Sequence, residues 1–132
     1  MAKIAVELEK ALARRALDGG AGRTTTRWLA WGAGWRVGDV ICTSGPDDRP
    51  FEERHASVAI ALVTAGTFQY RTAAGRELMT PGSLMLGNAG QSFECGHEHG
   101  LGDRCLSFHY DPDYFECLAA DAAGGSSAWP AR

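Results

Sequence analysis

The chain has 132 residues, with 13 basic and 16 acidic side chains and a formal net charge of −3. This length favours one domain, which can bury a core without help from disulfides or metal. Its apolar fraction of 45% is well above that of disordered chains. Phosphate backbones are bound by clustered Lys and Arg, so the acidic balance argues against direct binding of DNA or RNA.

The sequence has the pattern of neither a membrane span nor an export signal. The longest apolar run, residues 58–63, is far shorter than the ~20 residues that cross a bilayer. Glu7, Glu9 and Lys10 interrupt the apolar N-terminus. We therefore expect a cytoplasmic protein that does not bind membranes. In that reducing compartment, its four cysteines are expected to be thiols or metal ligands rather than disulfides.

The first segment has apolar residues at helical spacing. In residues 3–17, Leu8 and Leu12 follow Ile4 at i+4 and i+8, and a glycine pair then ends the pattern. The spacing predicts an N-terminal helix, and we assign it with its linker to residues 1–22. This helix either caps the domain or contributes to the homodimer that we expect.

Three tryptophans stand close together before the β-rich part of the chain. They are Trp28, Trp31 and Trp35. Aromatic residues in a row before a sheet favour a lid or a plug of the core. A ligand-stacking cage and a subunit interface are the alternatives.

From residue 35 onwards, short β-rich runs are separated by turn residues. Their spacing of about eight to twelve residues is typical of a sandwich or small barrel. The predicted strands are 35–42, 57–64, 67–72, 76–80, 83–87, 91–97 and 104–110. We predict a mainly all-β domain over residues 23–119. In its last strand, Leu106 and Phe108 are expected to face the core.

Helix signals return after the last predicted strand. Asp111 is a suitable N-cap and Pro112 a suitable first residue for a short helix over residues 112–119. Residues 120–132 contain small residues and the run GGSS, which is typical of a flexible linker. We expect a further domain to be attached beyond this tail.

Residues 66–108 resemble the cupin superfamily. The second cupin motif, G-x5-P-x-G-x2-H-x3-N, aligns without gaps when Gly82 and Gly90 occupy its glycine positions. Phe93 then stands at the metal-binding histidine, and Ala59 stands at the glutamate of the first motif. The resemblance implies a double-stranded β-helix whose usual metal-binding set of three histidines and one glutamate is largely missing.

Residues 35–119 are similar to the N-terminal cupin-type regulatory domain of AraC-type transcription regulators. The segments that carry the similarity are 39–55, 66–75, 78–110 and 111–119. The resemblance implies a ligand-binding domain that modulates DNA binding by a helix-turn-helix domain after the linker. Its effector is then a small molecule or a metal, and DNA is bound only through that appended domain.

The densest reactive stretch runs from Cys95 to Cys105. On an extended strand, Cys95, His97 and His99 share one face, and Cys105 returns after a glycine-rich turn. Two imidazoles and two thiolates can form a tetrahedral site for zinc or another transition metal. The inward direction of Leu106 argues against this set, because it turns Cys105 away. Hydrogen-bonded histidines with inert cysteines, and a redox or electrophile sensor, are the alternatives.

The candidate effector contacts are His55, Phe68, Tyr70 and Phe93. His55 lies near a ligand position of the first cupin motif, and closure of the barrel would bring it towards His97. The charged loop before it offers paired carboxylates but no nucleophile or oxyanion pair, so we assign no catalytic residue.

The resemblance implies the effector-sensing domain of an AraC-type regulator, and the acidic charge, the missing metal-binding set and the linker-like tail agree with it. The alternative is a stand-alone metal-dependent cupin enzyme of the dioxygenase or isomerase type, or a metal-binding cupin. Such an enzyme is expected to have a complete first motif and a histidine at position 93. Ala59 and Phe93 argue against it.

Overall fold

The computed structural model describes residues 2–124 and the side chains of residues 6–124. Helix α1 spans Ala2–Asp18 and helix α2 spans Pro112–Ala122. Between them lie β1 (Thr24–Gly32), β2 (Trp35–Cys42), β3 (Glu53–Arg54), β4 (Val58–Gly66), β5 (Phe68–Thr72), β6 (Gly75–Met79), β7 (Leu84–Gly87), β8 (Ser92–Gly96) and β9 (Asp103–Tyr110). The prediction of a mainly β domain with a helix at each end is confirmed. Neither of these two described helices is long and apolar enough to cross a membrane.

The strands form two antiparallel sheets that face each other. The five-stranded sheet has the order β1-β2-β9-β4-β7, and the four-stranded sheet has the order β3-β8-β5-β6. Both sheets contribute to the core between them. The core consists of Ala61, Val63, Phe68, Tyr70, Met79, Met85 and Cys105.

The inner face of strand β9 is not the face that carries its large apolar residues. Cys105 and Ser107 are buried on the inner face, whereas Leu106 and Phe108 are half-buried on the outer face. The prediction that Leu106 and Phe108 face the core is therefore wrong. The reason is the register with β4, which places Cys105 opposite the fully buried Val63.

Strand β1 lies where the sequence predicts no strand. It pairs with β2 along its length and forms one edge of the five-stranded sheet, and all nine of its residues are exposed. Trp28 and Trp31 are 38% and 71% exposed, so the prediction of a core plug is wrong for these two residues. An edge strand has a neighbour on one side only, which leaves its indoles partly uncovered.

Helix α1 caps one end of the barrel. Leu8 is buried, and the side chains of Leu8 and Leu12 lie against the turn at Gly102. Arg15 ties the last turn of the helix to the loop after β2 through an ion pair with Asp48, at 2.9 Å. The structure thus gives α1 the capping position that was one of its two predicted uses. Its part in a homodimer stays a prediction.

Helix α2 begins where the sequence predicts it. Asp111 occupies the N-cap position with an extended backbone, but its side chain makes no capping hydrogen bond. Its backbone carbonyl instead accepts a hydrogen bond from the Phe115 amide at 2.9 Å. The Tyr114 ring stacks on Tyr110 with 6.3 Å between ring centroids, which packs α2 back onto the end of β9.

Candidate functional site

An open groove of about 790 Å³ lies where β2 begins and β9 ends. The β1–β2 hairpin supplies its aromatic wall, and the residues before β4 and at the end of β9 supply its polar side. We call it the tryptophan groove. It is lined by Trp28, Trp31, Gly32, Gly34, Trp35, Arg36, Ala56, Ser57, His109, Tyr110 and Asp111.

Trp28 is in contact with both a cation and an imidazole. The Arg36 guanidinium carbon lies 4.2 Å from the centroid of the indole, where the ring quadrupole attracts a cation. The His109 ring meets the same indole edge-on, with 5.5 Å between centroids. Gly38 stands opposite Trp28 in the strand register, and a Cβ there would lie 3.1 Å from the indole. The missing side chain lets the indole lie against β2.

His109 is held between two hydroxyl groups. Its Nδ1 lies 3.2 Å from Ser57 Oγ, and its Nε2 lies 2.9 Å from Ser107 Oγ. Burial, with the nearby positive charge of Arg36, lowers the pKa of His109. The imidazole is therefore neutral at pH 7, and Arg36 supplies the positive charge of the tryptophan groove.

Three of the four predicted effector contacts form one buried cluster. His55 stacks on Phe93 with 4.0 Å between ring centroids, and its Nε2 lies 2.8 Å from the Tyr70 hydroxyl. The Tyr70 hydroxyl also donates to the carbonyl of Leu86 at 3.3 Å. Phe68 is set apart from them, because its ring lies beside His97 at 6.3 Å.

The inner face of the sheet connects this cluster with the tryptophan groove. His109, Ala59 and Gly87 are cross-strand neighbours in one row. The His55 ring lies over Gly87, where a Cβ would come within 2.3 Å of His55 Nε2. Burial lowers the pKa of His55, and its interaction with His109 lowers it further. The two histidines therefore stand at the two ends of one row of small residues.

A second cluster lies at the opposite end of the β2–β9 pair. Cys42 is the last residue of β2 and stands opposite Asp103, the first residue of β9. His97 comes from the other sheet, directly after β8, and its Nε2 lies 2.6 Å from Asp103 Oδ2. The cysteine sulfur, an imidazole nitrogen and a carboxylate oxygen all lie within 4.8 Å of one another.

Hydrogen bonds within this cluster stabilise the charged forms of its members. Burial alone would raise the pKa of the Cys42 thiol, but hydrogen bonds with His97 and Ser44 outweigh it and lower the pKa. Burial opposes the charged form of His97, yet its hydrogen bonds with Asp103 and Cys42 raise its pKa to about 9. At pH 7 the imidazolium of His97 is therefore paired with the Asp103 carboxylate.

The structure places the predicted metal ligands in different surroundings. His97 is part of the second cluster, and the Cys105 thiol is next to it, 3.6 Å from Asp103 Oδ1. Cys95 packs against the core, where burial raises the pKa of its thiol. His99 is exposed and lies 3.3 Å from the amide of Gln69. All four cysteines are free thiols.

The sequence reasoning missed four of the residues that shape these two places. Cys42 and Asp103 are 61 positions apart and meet only through the strand register, so no local motif joins them. Arg36 and His109 meet at Trp28 for the same reason. The tryptophan cluster is the one sequence signal that points to the tryptophan groove, through the alternative of a ligand-stacking cage.

The comparison with protein families gives a match over most of the β-rich part. The model of the AraC-like ligand binding domain matches residues 39–128. Among curated proteins, no sequence matches this chain significantly.

Solved structures with a similar fold include several cupins. The cupin domain of Schizosaccharomyces pombe Cnp3 is 11% identical, with a TM-score of 0.58 over 82% of this chain and 77% of that chain. A cupin superfamily protein from Desulfitobacterium hafniense is 11% identical, with a TM-score of 0.56 over 70% and 81%. The DMSP lyase DddQ from Ruegeria pomeroyi is 13% identical, with a TM-score of 0.56 over 68% and 48%. The predicted cupin fold is confirmed, and identities this low carry no function.

Proposed function

The chain belongs to the AraC-like ligand binding domain family, and we propose that it is the effector-sensing domain of a transcription regulator. The effector is a small molecule held in the tryptophan groove. The regulator acts in the cytoplasm, and DNA is bound by an appended helix-turn-helix domain that follows residues 120–132. Family membership supports the ligand-binding part of this proposal.

The contacts at Trp28 support a particular class of effector. Indole faces offer flat apolar surface to a ring. The exposed guanidinium of Arg36 stands beside them and can bind a carboxylate in a bidentate manner. His109 and Ser57 add neutral hydrogen-bonding groups. We therefore propose a planar ring compound that carries a carboxylate.

The predicted contacts deeper in the barrel keep a place in this proposal. His55, Tyr70 and Phe93 form the inner wall in this proposal. Because His55 is 7% and Ala59 2% exposed, the far end of the effector reaches this wall only when the buried row behind His109 opens. Phe68 belongs to the same buried core but lies beside His97, apart from this wall. The tyrosine hydroxyl and the imidazole are the polar groups that would select among effectors.

The groove has a direct route to the C-terminal helix. Tyr110 and Asp111 line it, and α2 begins at the next residue, Pro112. Tyr110 also stacks on Tyr114 of that helix. An effector that prefers one position of Tyr110 therefore shifts the population of α2 positions. The size of the shift is limited by the difference in its affinity for the two arrangements.

A homodimer is the second part of the proposal. Leu86, Ile60 and Phe108 form one cross-strand row on the outer face of the five-stranded sheet. Leu84 and Leu86 are 60% and 63% exposed, which supports contact with a second copy of this chain. Light scattering is expected to give a dimer for the wild type and for L78E, whose leucine lies on the other sheet, and a monomer for L86E. A monomeric wild type, or a dimeric L86E, would contradict this part.

The effector proposal is tested by calorimetric titration with a panel of aromatic carboxylates and their uncharged amides. We expect at least one carboxylate to bind and to change tryptophan fluorescence, and its amide to bind at least 10-fold more weakly. The substitution R36Q should weaken binding of the carboxylate by 10-fold or more and leave the amide unchanged. The matched control is R76Q, an exposed arginine of β6. Equal binding to R36Q and wild type, or no binding by any member of the panel, overturns the proposal.

A further inference from the structure

We propose that Cys42, His97 and Asp103 form a binding site for Zn²⁺ at the end of the barrel opposite the tryptophan groove. The proposal does not depend on the effector, because the two places share no residue. None of the three residues stands where the cupin motifs place a metal ligand. Ala59 and Phe93, at two of those positions, have no donor atom.

The donor set has the chemistry that Zn²⁺ prefers. Zn²⁺ is bound in proteins by thiolate sulfur, imidazole nitrogen and carboxylate oxygen, and the cluster offers one of each. Within the part of the chain that the structure describes, this is the group of three donors whose atoms lie within 4.8 Å of one another. Three protein ligands leave the fourth tetrahedral position for water.

The three ligands come from parts of the fold that hold them firmly. Cys42 and Asp103 are directly paired across β2 and β9, and His97 reaches them from the facing sheet. His97 and Asp103 are each 5% exposed, whereas Cys42 is half-buried. Gly102 shapes the turn before Asp103 with a φ of 72°, and a Cβ there would lie 2.7 Å from the carbonyl of Cys42.

The distances require one local change on binding. His97 Nε2 and Asp103 Oδ2 are in direct contact at 2.6 Å. Ligand atoms at about 2.0–2.3 Å from a tetrahedral zinc ion are roughly 3.3–3.8 Å apart, so the ion replaces the shared proton and separates the two groups by about 1 Å.

Two further residues orient the ligands from outside. The Cys105 thiol donates to Asp103 Oδ1 at 3.6 Å, which leaves Oδ2 directed to His97. Ser44 forms a hydrogen bond with Cys42. Partners of this kind typically change metal affinity by about 10–100-fold. Cys105 is thus a positioning residue, in place of the ligand that the sequence pattern suggested.

The test is a titration of the reduced, metal-free protein with Co²⁺, followed by displacement with Zn²⁺. We expect one equivalent to bind with the visible bands of a tetrahedral site and the near-ultraviolet band of a thiolate ligand. The substitutions C42S and H97Q remove ligands and should weaken binding by at least the roughly 10–100-fold that loss of an outer hydrogen-bond partner costs, and C42S should also remove the thiolate band. The controls H99Q and C117S, both at exposed residues, should behave as wild type.

A second measurement on the unaltered protein keeps the result clear if a variant does not fold. Zn²⁺ should protect Cys42 from iodoacetamide, as mass spectrometry of the peptides shows, and should leave Cys117 reactive. Binding without a thiolate band, alkylation of Cys42 at the same rate with and without Zn²⁺, or loss of binding in H99Q overturns the proposal. The last outcome would favour the set Cys95, His97, His99 and Cys105 instead.

Discussion

A paired carboxylate and guanidinium join the two central strands that reach both candidate sites. Arg104 of β9 donates to Asp39 of β2 through two parallel hydrogen bonds of 2.9 and 2.7 Å. Only about an eighth of each side chain is exposed, at 13% and 12%. The hydrogen bond from Arg104 outweighs burial and lowers the pKa of Asp39. The pair therefore stabilises the folded state whenever Asp39 is ionised.

The substitution D39N is expected to reduce the free energy of unfolding by about 1.5–3 kcal/mol at pH 7. Because the folded pKa of Asp39 is below its unfolded value of about 3.9, its contribution is complete above that pH and disappears as the pH falls through the folded pKa. Urea unfolding of wild type and D39N across pH 2–7 measures this stability difference. The control is D47N, at the exposed Asp47. A difference that persists unchanged at the acid end would contradict the account.

A glycine opposite His55 provides the second test at the residue scale. A Cβ at position 87 would lie 2.3 Å from His55 Nε2, so G87A must displace the imidazole from Tyr70. We expect a loss of about 1–3 kcal/mol of stability in thermal or urea unfolding. G20A is the control, because a Cβ at Gly20 meets nothing within 4 Å. Equal stability of the two variants would show that the histidine is not confined there.

Single residues also show how far sequence reasoning reaches. The sequence identifies His97 as a reactive residue because it lies in a dense run of cysteine and histidine. It does not identify the partners of His97, since only strand register brings Cys42 and Asp103 together from distant parts of the chain. Strand alternation holds only as far as the end of β8 at Gly96, so it does not place His99 on the face of His97, and His99 is exposed.

Among the elements, helix α1 is held by one carboxylate in addition to its buried leucine. The Asp48 side chain accepts hydrogen bonds from the amides of Gly22 and Gly45, at 2.9 and 2.8 Å, and forms an ion pair with Arg15. These backbone hydrogen bonds lower the pKa of Asp48 most, with Arg15 adding to the effect. The carboxylate thus connects the helix, the segment after it and the loop after β2.

The substitution D48A is expected to cost about 1.5–3 kcal/mol of stability and to loosen α1 before the sheets open. Hydrogen exchange followed by mass spectrometry should show faster exchange in α1 and unchanged exchange in β4 and β9. D47A, at the exposed neighbouring aspartate, should match wild type. Uniform acceleration across the chain would instead mean that α1 and the barrel unfold as one unit.

The elements were predicted well where local chemistry is strong and poorly where neighbours decide. Both helices were found from apolar spacing, a glycine stop and a Pro112 start. Strand β1 was missed because its side chains are exposed on both faces and show no alternation. The prediction exchanges the inner and outer faces of β9, because the register of a central strand with β2 and β4 decides which of its side chains face the core.

At the scale of the whole molecule, the two candidate sites lie at opposite ends of the barrel. One end of the β2–β9 pair has the indoles, Arg36 and His109, and leads into α2. The other end has Cys42, His97 and Asp103, and is covered by α1. The cupin fold could be predicted from its turn glycines. The residues that form the site at each end could not be predicted, because they are distant in the chain and only the closed barrel brings them together.

The central claim is that a small molecule binds in the tryptophan groove. The most direct measurement is a two-dimensional ¹H–¹⁵N NMR map of the protein at saturation with the aromatic carboxylate that binds most tightly. The account predicts the largest shifts at the indole N–H groups of Trp28 and Trp35 and at the amides of Ser57 and His109, with the amide of Cys42 unchanged. Shifts confined to the Cys42 end or to the outer face of the sheet would contradict it.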